Sequence, residues 1–124
     1  MVDVFSRAVL LAVGLVHMLP VTGVLGGDAL RSLYGVAIDD PNLLLLLRHR
    51  AVLFALLGIG LVTAAFKPAW TTAALVAAIA SVGSFVGLAV GVPGLSPSIL
   101  RVVVVDTIAL LALLAAAIAG LGRW

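Results

Sequence analysis

Cysteine is absent from the 124 residues, which excludes disulfides, thiolate metal sites and cysteine nucleophiles. Charge is scarce: Asp, Glu, Lys and Arg make up 10% of the chain, against roughly a quarter in a water-soluble domain. Aromatics reach only 6% and interleave with no basic stripe. The net charge of +2 and the pI near 10.0 therefore rest on few groups and do not signal a nucleic-acid partner. No glycine-rich phosphate loop opens a helix and no GxSxG elbow is present, which removes nucleotide-cradling and serine-hydrolase readings.

What is there is apolar. Hydrophobic residues make up 65% of the chain and the mean hydropathy is +1.38. So little polar surface cannot cover a globule in water, and lipid is the expected solvent. Arg7 followed by an apolar run to Leu19 has the look of a signal peptide. The small-residue cleavage pattern after it is not convincing and cleavage would leave an awkward three-span remainder, so it reads better as a first span. A helix needs about 20 apolar residues to cross the hydrocarbon, and four segments qualify, over 4–24, 42–66, 69–90 and 98–121. The expected fold is an all-α integral membrane domain over 1–124, an antiparallel up-down bundle of four transmembrane helices with a short interfacial helix in the first loop.

The punctuation fits these limits. Asp40-Pro41 is a helix cap followed by a first-turn proline, and Lys67-Pro68 separates the second span from the third. Gly91 to Pro97 reads as a short stiff loop, with Ser96 or Ser98 as cap of the fourth helix. In the first loop, "GGDALRSLYG" has Asp28 as candidate cap, an apolar side from Leu30, Leu33 and Tyr34, and a stop at Gly35. Gly83, Gly87 and Gly91 share one face of the third span, and Ala112, Ala116 and Gly120 one face of the fourth. Small faces let helix backbones approach, within the chain or between copies. Arg7, Lys67 and Arg123 fall at helix ends on the side of the termini, which favours cytoplasmic termini.

The polar residues are one-sided. "LLLLLRHRAVLF", residues 43–54, places Arg48, His49 and Arg50 some six to eight residues inside the second span, on the order of 10 Å deep at 1.5 Å per residue. Counting along the other spans brings His17, Ser81, Ser84, Arg101 and Asp106 to the same half of the membrane, below the loop that carries Tyr34. Charges at such depth cost about 2.5–3.5 kcal/mol on insertion scales and so face a bundle interior, a wet cavity or one another. Asp106 is the one deep acid, and Arg48 or Arg50 is its expected partner. Successive helical residues turn by about 100°, so Arg48 and Arg50 cannot converge. One faces the cavity or Asp106, and the other snorkels or meets a neighbouring subunit. On the same wheel, Arg101 and Asp106 are expected on different faces.

Three functional readings are open. In the first, a pocket in the non-cytoplasmic half binds or transforms a small lipophilic or anionic-headed ligand, by isomerase- or hydrolase-like chemistry or as a quinone binder. Arg48, Arg50, Arg101, Ser84 and Tyr34 would hold it, with His17, His49 and Asp106 as candidate acids and bases. In the second, the polar layer marks a solute or proton path through a transporter or channel subunit. In the third, the chain is a structural partner in a membrane complex. Each residue also has a plainer role: an Arg–Asp clasp, a histidine bonded to a carbonyl near Pro20, serines bonded to their own helix. No cofactor is expected. His17, His49 and Asp106 lack a metal-ligand spacing, so a metal or haem on either histidine is the weaker reading. The expected partners are the bilayer, the ligand and further copies of the chain, with no nucleic acid.

"VGLVHMLP", "LYGVAIDDPNLLLLLRHRAVLFALLG" and "SVGSF", with the stretch from Arg101 to Asp106, resemble small bacterial four-span membrane proteins of the DoxX-like and DUF4345-like kind over nearly the whole chain. The resemblance implies a four-helix membrane bundle and carries no established chemistry. Some relatives bear the label phosphopantetheine adenylyltransferase. The soluble enzyme of that name has an α/β nucleotide-binding fold and an HxGH-type motif, and neither His17 nor His49 sits in such a motif.

Overall fold

The computed structural model describes residues 2–120, and within them the chain is helical with no strand. The elements are α1 (Val4–Met18), a 3-10 stretch (Leu19–Leu25), α2 (Gly27–Tyr34), α3 (Pro41–Phe66), α4 (Pro68–Ala89) and α5 (Pro97–Gly120). Four segments are long and apolar enough to cross a membrane: Val4–Leu25, Pro41–Phe66, Pro68–Ala89 and Pro97–Gly120. They match the four predicted spans to within a residue or so. Leu121, the predicted end of the last span, and Arg123 lie outside the described residues.

Local chemistry explains the boundaries. Asp3 caps α1 by accepting from Ser6 N at 2.9 Å. Asp40 caps α3 by accepting from Asn42 N at 2.8 Å, with Pro41 in the first turn. Ser96 Oγ caps α5 by accepting from Ile99 N at 3.2 Å. Each bond satisfies an orphan donor at a helix start. α2 begins two positions earlier than expected: Gly26, at φ 134, is its cap, and Asp28 lies in the first turn. It stops at Gly35, whose φ of 65 is left-handed and suits a residue without Cβ. Pro20 ends α-helical bonding in the first span because it has no N–H to donate, and the chain continues as the 3-10 stretch.

The long helices close a ring of neighbours: α1 packs on α3, α3 on α4, α4 on α5 and α5 on α1. Leu10, Leu61, Val82 and Leu113 are fully buried at its centre, while large apolar side chains such as Leu45, Leu56, Val76, Leu88, Leu111 and Ile118 face outward. Lipid provides no hydrophobic drive between helices, so close backbone approach must supply the contact. The closest approach is between α1 and α3. A Cβ on Gly58 would come within 2.7 Å of Gly14 O and of Met18 Cγ, and one on Gly14 within 3.1 Å of Gly58 O.

The predicted small-residue faces fare differently. On α5, Ala116 and Gly120 are buried, with Ala112 packed against the core. On the third span and the loop after it, a Cβ at Gly87 or Gly91 would meet nothing within 4 Å, and one at Gly83 only Leu110 Cδ1 at 3.7 Å. That face makes no tight helix contact among the described residues.

Candidate functional site

The end of α1, the 3-10 stretch, α2, α3 and α5 enclose a cavity of about 290 Å³. Most of its wall is apolar, from Val16, Leu19, Pro20, Leu33, Phe54, Val102 and Val105. Its polar groups are His17, Ser32, Tyr34, Arg50, Ser98, Arg101 and Asp106. A few polar groups converging on an apolar hollow is the usual form of a ligand site.

His17 is placed by the Gly14–Gly58 crossing one turn earlier on its helix. It is only 4% exposed, and its ring meets Phe54 edge-on at 5.6 Å. Nδ1 lies 2.8 Å from Val13 O. A carbonyl can only accept, so Nδ1 carries a proton and donates, and whenever the ring is neutral Nε2 is its lone-pair nitrogen. No buried side-chain nitrogen or oxygen among the described residues lacks a hydrogen-bond partner. Nε2 makes none among the described residues, so it is open to the cavity.

Arg50 is held by aromatics. Its guanidinium stands over Phe54 at 4.5 Å from the ring centre, and over Tyr34 and Phe85 at 5.6 Å each. It also donates to the Tyr34 hydroxyl at 2.9 Å. Cation–π attraction is strongest where water is excluded, and three rings give the charge favourable surroundings without a carboxylate. Tyr34 Oη, having accepted from Arg50, keeps its own proton to donate. α2 is fastened over the site by Ser96, whose hydroxyl donates to the Tyr34 carbonyl.

Asp106 lines the same cavity and is half-buried. The expected Arg–Asp clasp is not formed: among the described residues Asp106 makes no direct ion pair. Of the two arginines Arg50 is the cavity-facing one, and it bonds the phenol rather than the carboxylate. Arg101 also lines the cavity, which corrects the expectation that it and Asp106 look different ways. Ser98, Arg101, Val102, Val105 and Asp106 are spaced i, i+3, i+4, i+7, i+8 and form one stripe, with Arg101 and Asp106 at its borders.

The remaining predicted residues are elsewhere. Arg48 is exposed and donates from Nε to Val24 O at 2.8 Å. His49 is exposed on α3 and lines neither this cavity nor the two beside it. Among the described residues no three metal-ligating side chains come together, so His17, His49 and Asp106 do not form the metal triad considered from the sequence. Ser84 donates to Ser81 O at 2.9 Å on its own helix. It lines a separate cavity of about 350 Å³ on the far side of Arg50.

The sequence reading missed Phe54 and Phe85 as the seat of Arg50, Ser98 on the wall, and the Gly14–Gly58 crossing. The first had a signal in the chain: Leu43, Leu47, Arg50, Phe54 and Leu57 repeat at alternating four- and three-residue steps, one face of α3. The chain matches no family model, no curated protein and no solved structure.

Proposed function

We propose that the protein is a small multi-pass membrane protein whose cavity among α1, α2, α3 and α5 binds a small lipophilic molecule with an oxygen-bearing head. The observation that carries this reading is the convergence of the open His17 Nε2, the Asp106 carboxylate and the aromatic-seated Arg50 on one apolar-walled hollow. Arg50 and Tyr34 Oη donate to the head, and Asp106 accepts from it. His17 Nε2 takes or returns a proton, in the manner of an isomerase or hydrolase acid–base. Neither Arg48 nor His49 has a part in it.

The bundle is antiparallel, up-down-up-down. Contacts between the first span and α3 support this: Arg7 meets Ala65, Gly14 meets Gly58, His17 meets Phe54, and Val24 meets Arg48. Numbers rise along one segment as they fall along the other. α2 is an interfacial lid over the cavity. The termini face the cytoplasm of a bacterial cell, the DoxX-like resemblance sets the wider kinship, and the open Gly87–Gly91 face packs on a second copy.

A density map of the protein in nanodiscs tests the reading. Non-protein density between His17, Arg50 and Asp106 is the expected result. A collapsed cavity with Leu33 and Val105 packed onto the His17 ring refutes it.

A further inference from the structure

A second cavity of about 260 Å³ adjoins the first, and Tyr34, Arg50 and Val102 line both. The rest of its wall is apolar: Val36, Ile38, Leu43, Leu47, Phe85 and Ile99. The Arg50–Tyr34 hydrogen bond is thus a sill between a polar chamber and a greasy one. We propose that the two chambers form one site for a single-chain monocarboxylate, a fatty-acid-like anion. Its carboxylate lies in the first chamber against Arg50 and Arg101, and its alkyl chain crosses the sill into the second. This rests on the lipophilic-ligand reading and names the ligand class.

Charge selects the head. The first chamber holds two guanidiniums, Arg50 and Arg101, against one carboxylate, Asp106. One positive charge is left over, which suits a carboxylate. A phosphate monoester carries about −1.5 to −2 at neutral pH and would be over-charged for the chamber. A cationic head would add to the excess. Geometry agrees: a guanidinium presents its donors as a planar fork that matches carboxylate oxygens, and Arg50 is already oriented by its three rings. Arg101 is exposed at the rim, where an entering anion meets it first.

The tail is selected by what the second chamber lacks. Among the described residues its only polar side chains are the two that form the sill, so a compact polar ligand would leave it without a polar occupant. Its volume is room for a single alkyl chain.

The test uses the full chain in phosphatidylcholine nanodiscs and a laurate carrying a diazirine near its chain end, with labelled residues read by peptide mass spectrometry. Labelling is expected on Leu43, Leu47 and Ile99. Laurate should compete at least about tenfold better than dodecanol, the value of one charge-assisted hydrogen bond. Arg101→Gln, at an exposed position, should remove that preference with an unchanged melting temperature. Leu43→Trp, at the rim of the second chamber, should reduce labelling while butyrate still protects the first. Equal competition by laurate and dodecanol overturns the carboxylate assignment and leaves the lipophilic-ligand reading standing. Better competition by dodecyl phosphate or dodecyltrimethylammonium overturns it in the same way. Labelling spread over outward residues such as Leu45 and Leu56, with no competition by either probe, overturns both.

Discussion

Gly58→Ala is the sharpest test of how the site is held. The new methyl would sit 2.7 Å from Gly14 O and from Met18 Cγ, and 3.5 Å from His17 Cβ. Ordinary contact begins near 3.4 Å, so α1 and α3 must part by several tenths of an ångström, and the blocking oxygen is backbone that cannot rotate away. Overpacking of this kind costs about 1–3 kcal/mol. Alanine returns up to about 1 kcal/mol through helix propensity, which Gly60→Ala cancels as a control, since a Cβ there meets nothing within 4 Å. The difference between the variants is therefore the overpacking term itself, roughly 5–15 °C in Tm for a chain of this size. Circular-dichroism melting in one nonionic detergent measures it. Equal melting temperatures for the two variants would refute the close crossing, and with it the account of how His17 is placed. Because His17 follows Gly14 by one turn, Gly58→Ala should also weaken ligand retention, and Gly60→Ala should not.

Ser96→Ala removes the cap of α5 and the bond to the Tyr34 carbonyl together; a loss of about 1–2 kcal/mol is expected, with faster hydrogen exchange in α2. Exchange confined to α5 would separate the cap from the tie. His17→Phe keeps an aromatic ring against Phe54, worth about 0.5–1.5 kcal/mol, but loses the Val13 bond and the lone pair; near-native melting with lost ligand retention is expected, and retained ligand would remove His17 from the site. Arg7→Gln takes away the donor to Ala65 O near the end of α3, at 3.1 Å, and the contact with Phe66 at 5.7 Å. It should cost about 1 kcal/mol and leave ligand binding unchanged.

The helices were legible because their limits are written in local chemistry. Asp40-Pro41, Lys67-Pro68 and the serines before α5 act on their own neighbours, and a run of apolar residues needs no tertiary context to be recognised. The composition of the site was legible only in part. Depth counting brought His17, Arg50, Arg101 and Asp106 together beneath the loop of Tyr34, because rise per residue is uniform. It also swept in Arg48, His49 and Ser84, because depth says nothing of azimuth. The wheel separated Arg48 from Arg50 correctly but separated Arg101 from Asp106 wrongly. An angle of about 140° between two residues five apart still fits the edges of one broad stripe. The Gly14–Gly58 contact could not be read, since neither glycine belongs to a small-xxx-small repeat that marks the pairing. The glycines that do repeat, Gly83, Gly87 and Gly91, find no close neighbour among the described residues.

The two arginines of "LLLLLRHRAVLF" answer different needs created by Pro20. With no N–H to extend the α-helix, the first span passes into a 3-10 stretch whose carbonyls are less well served, and carbonyls inside a bilayer must find donors. Arg48 Nε is the donor for Val24 O, so this cation completes a backbone hydrogen-bond set. Its charge is incidental to the cavity. The same break ends α1 at Met18, which leaves His17 in the last turn, facing Phe54 across the gap. Arg50, two residues on from Arg48 and on the other side of the helix, is then free of backbone duty. Three rings and a phenol hold it without cancelling its charge. A carboxylate partner would have neutralised it. Among the described residues Asp106, on the opposite wall, makes no ion pair with it, and under the proposed function both charges are then available to a ligand between them.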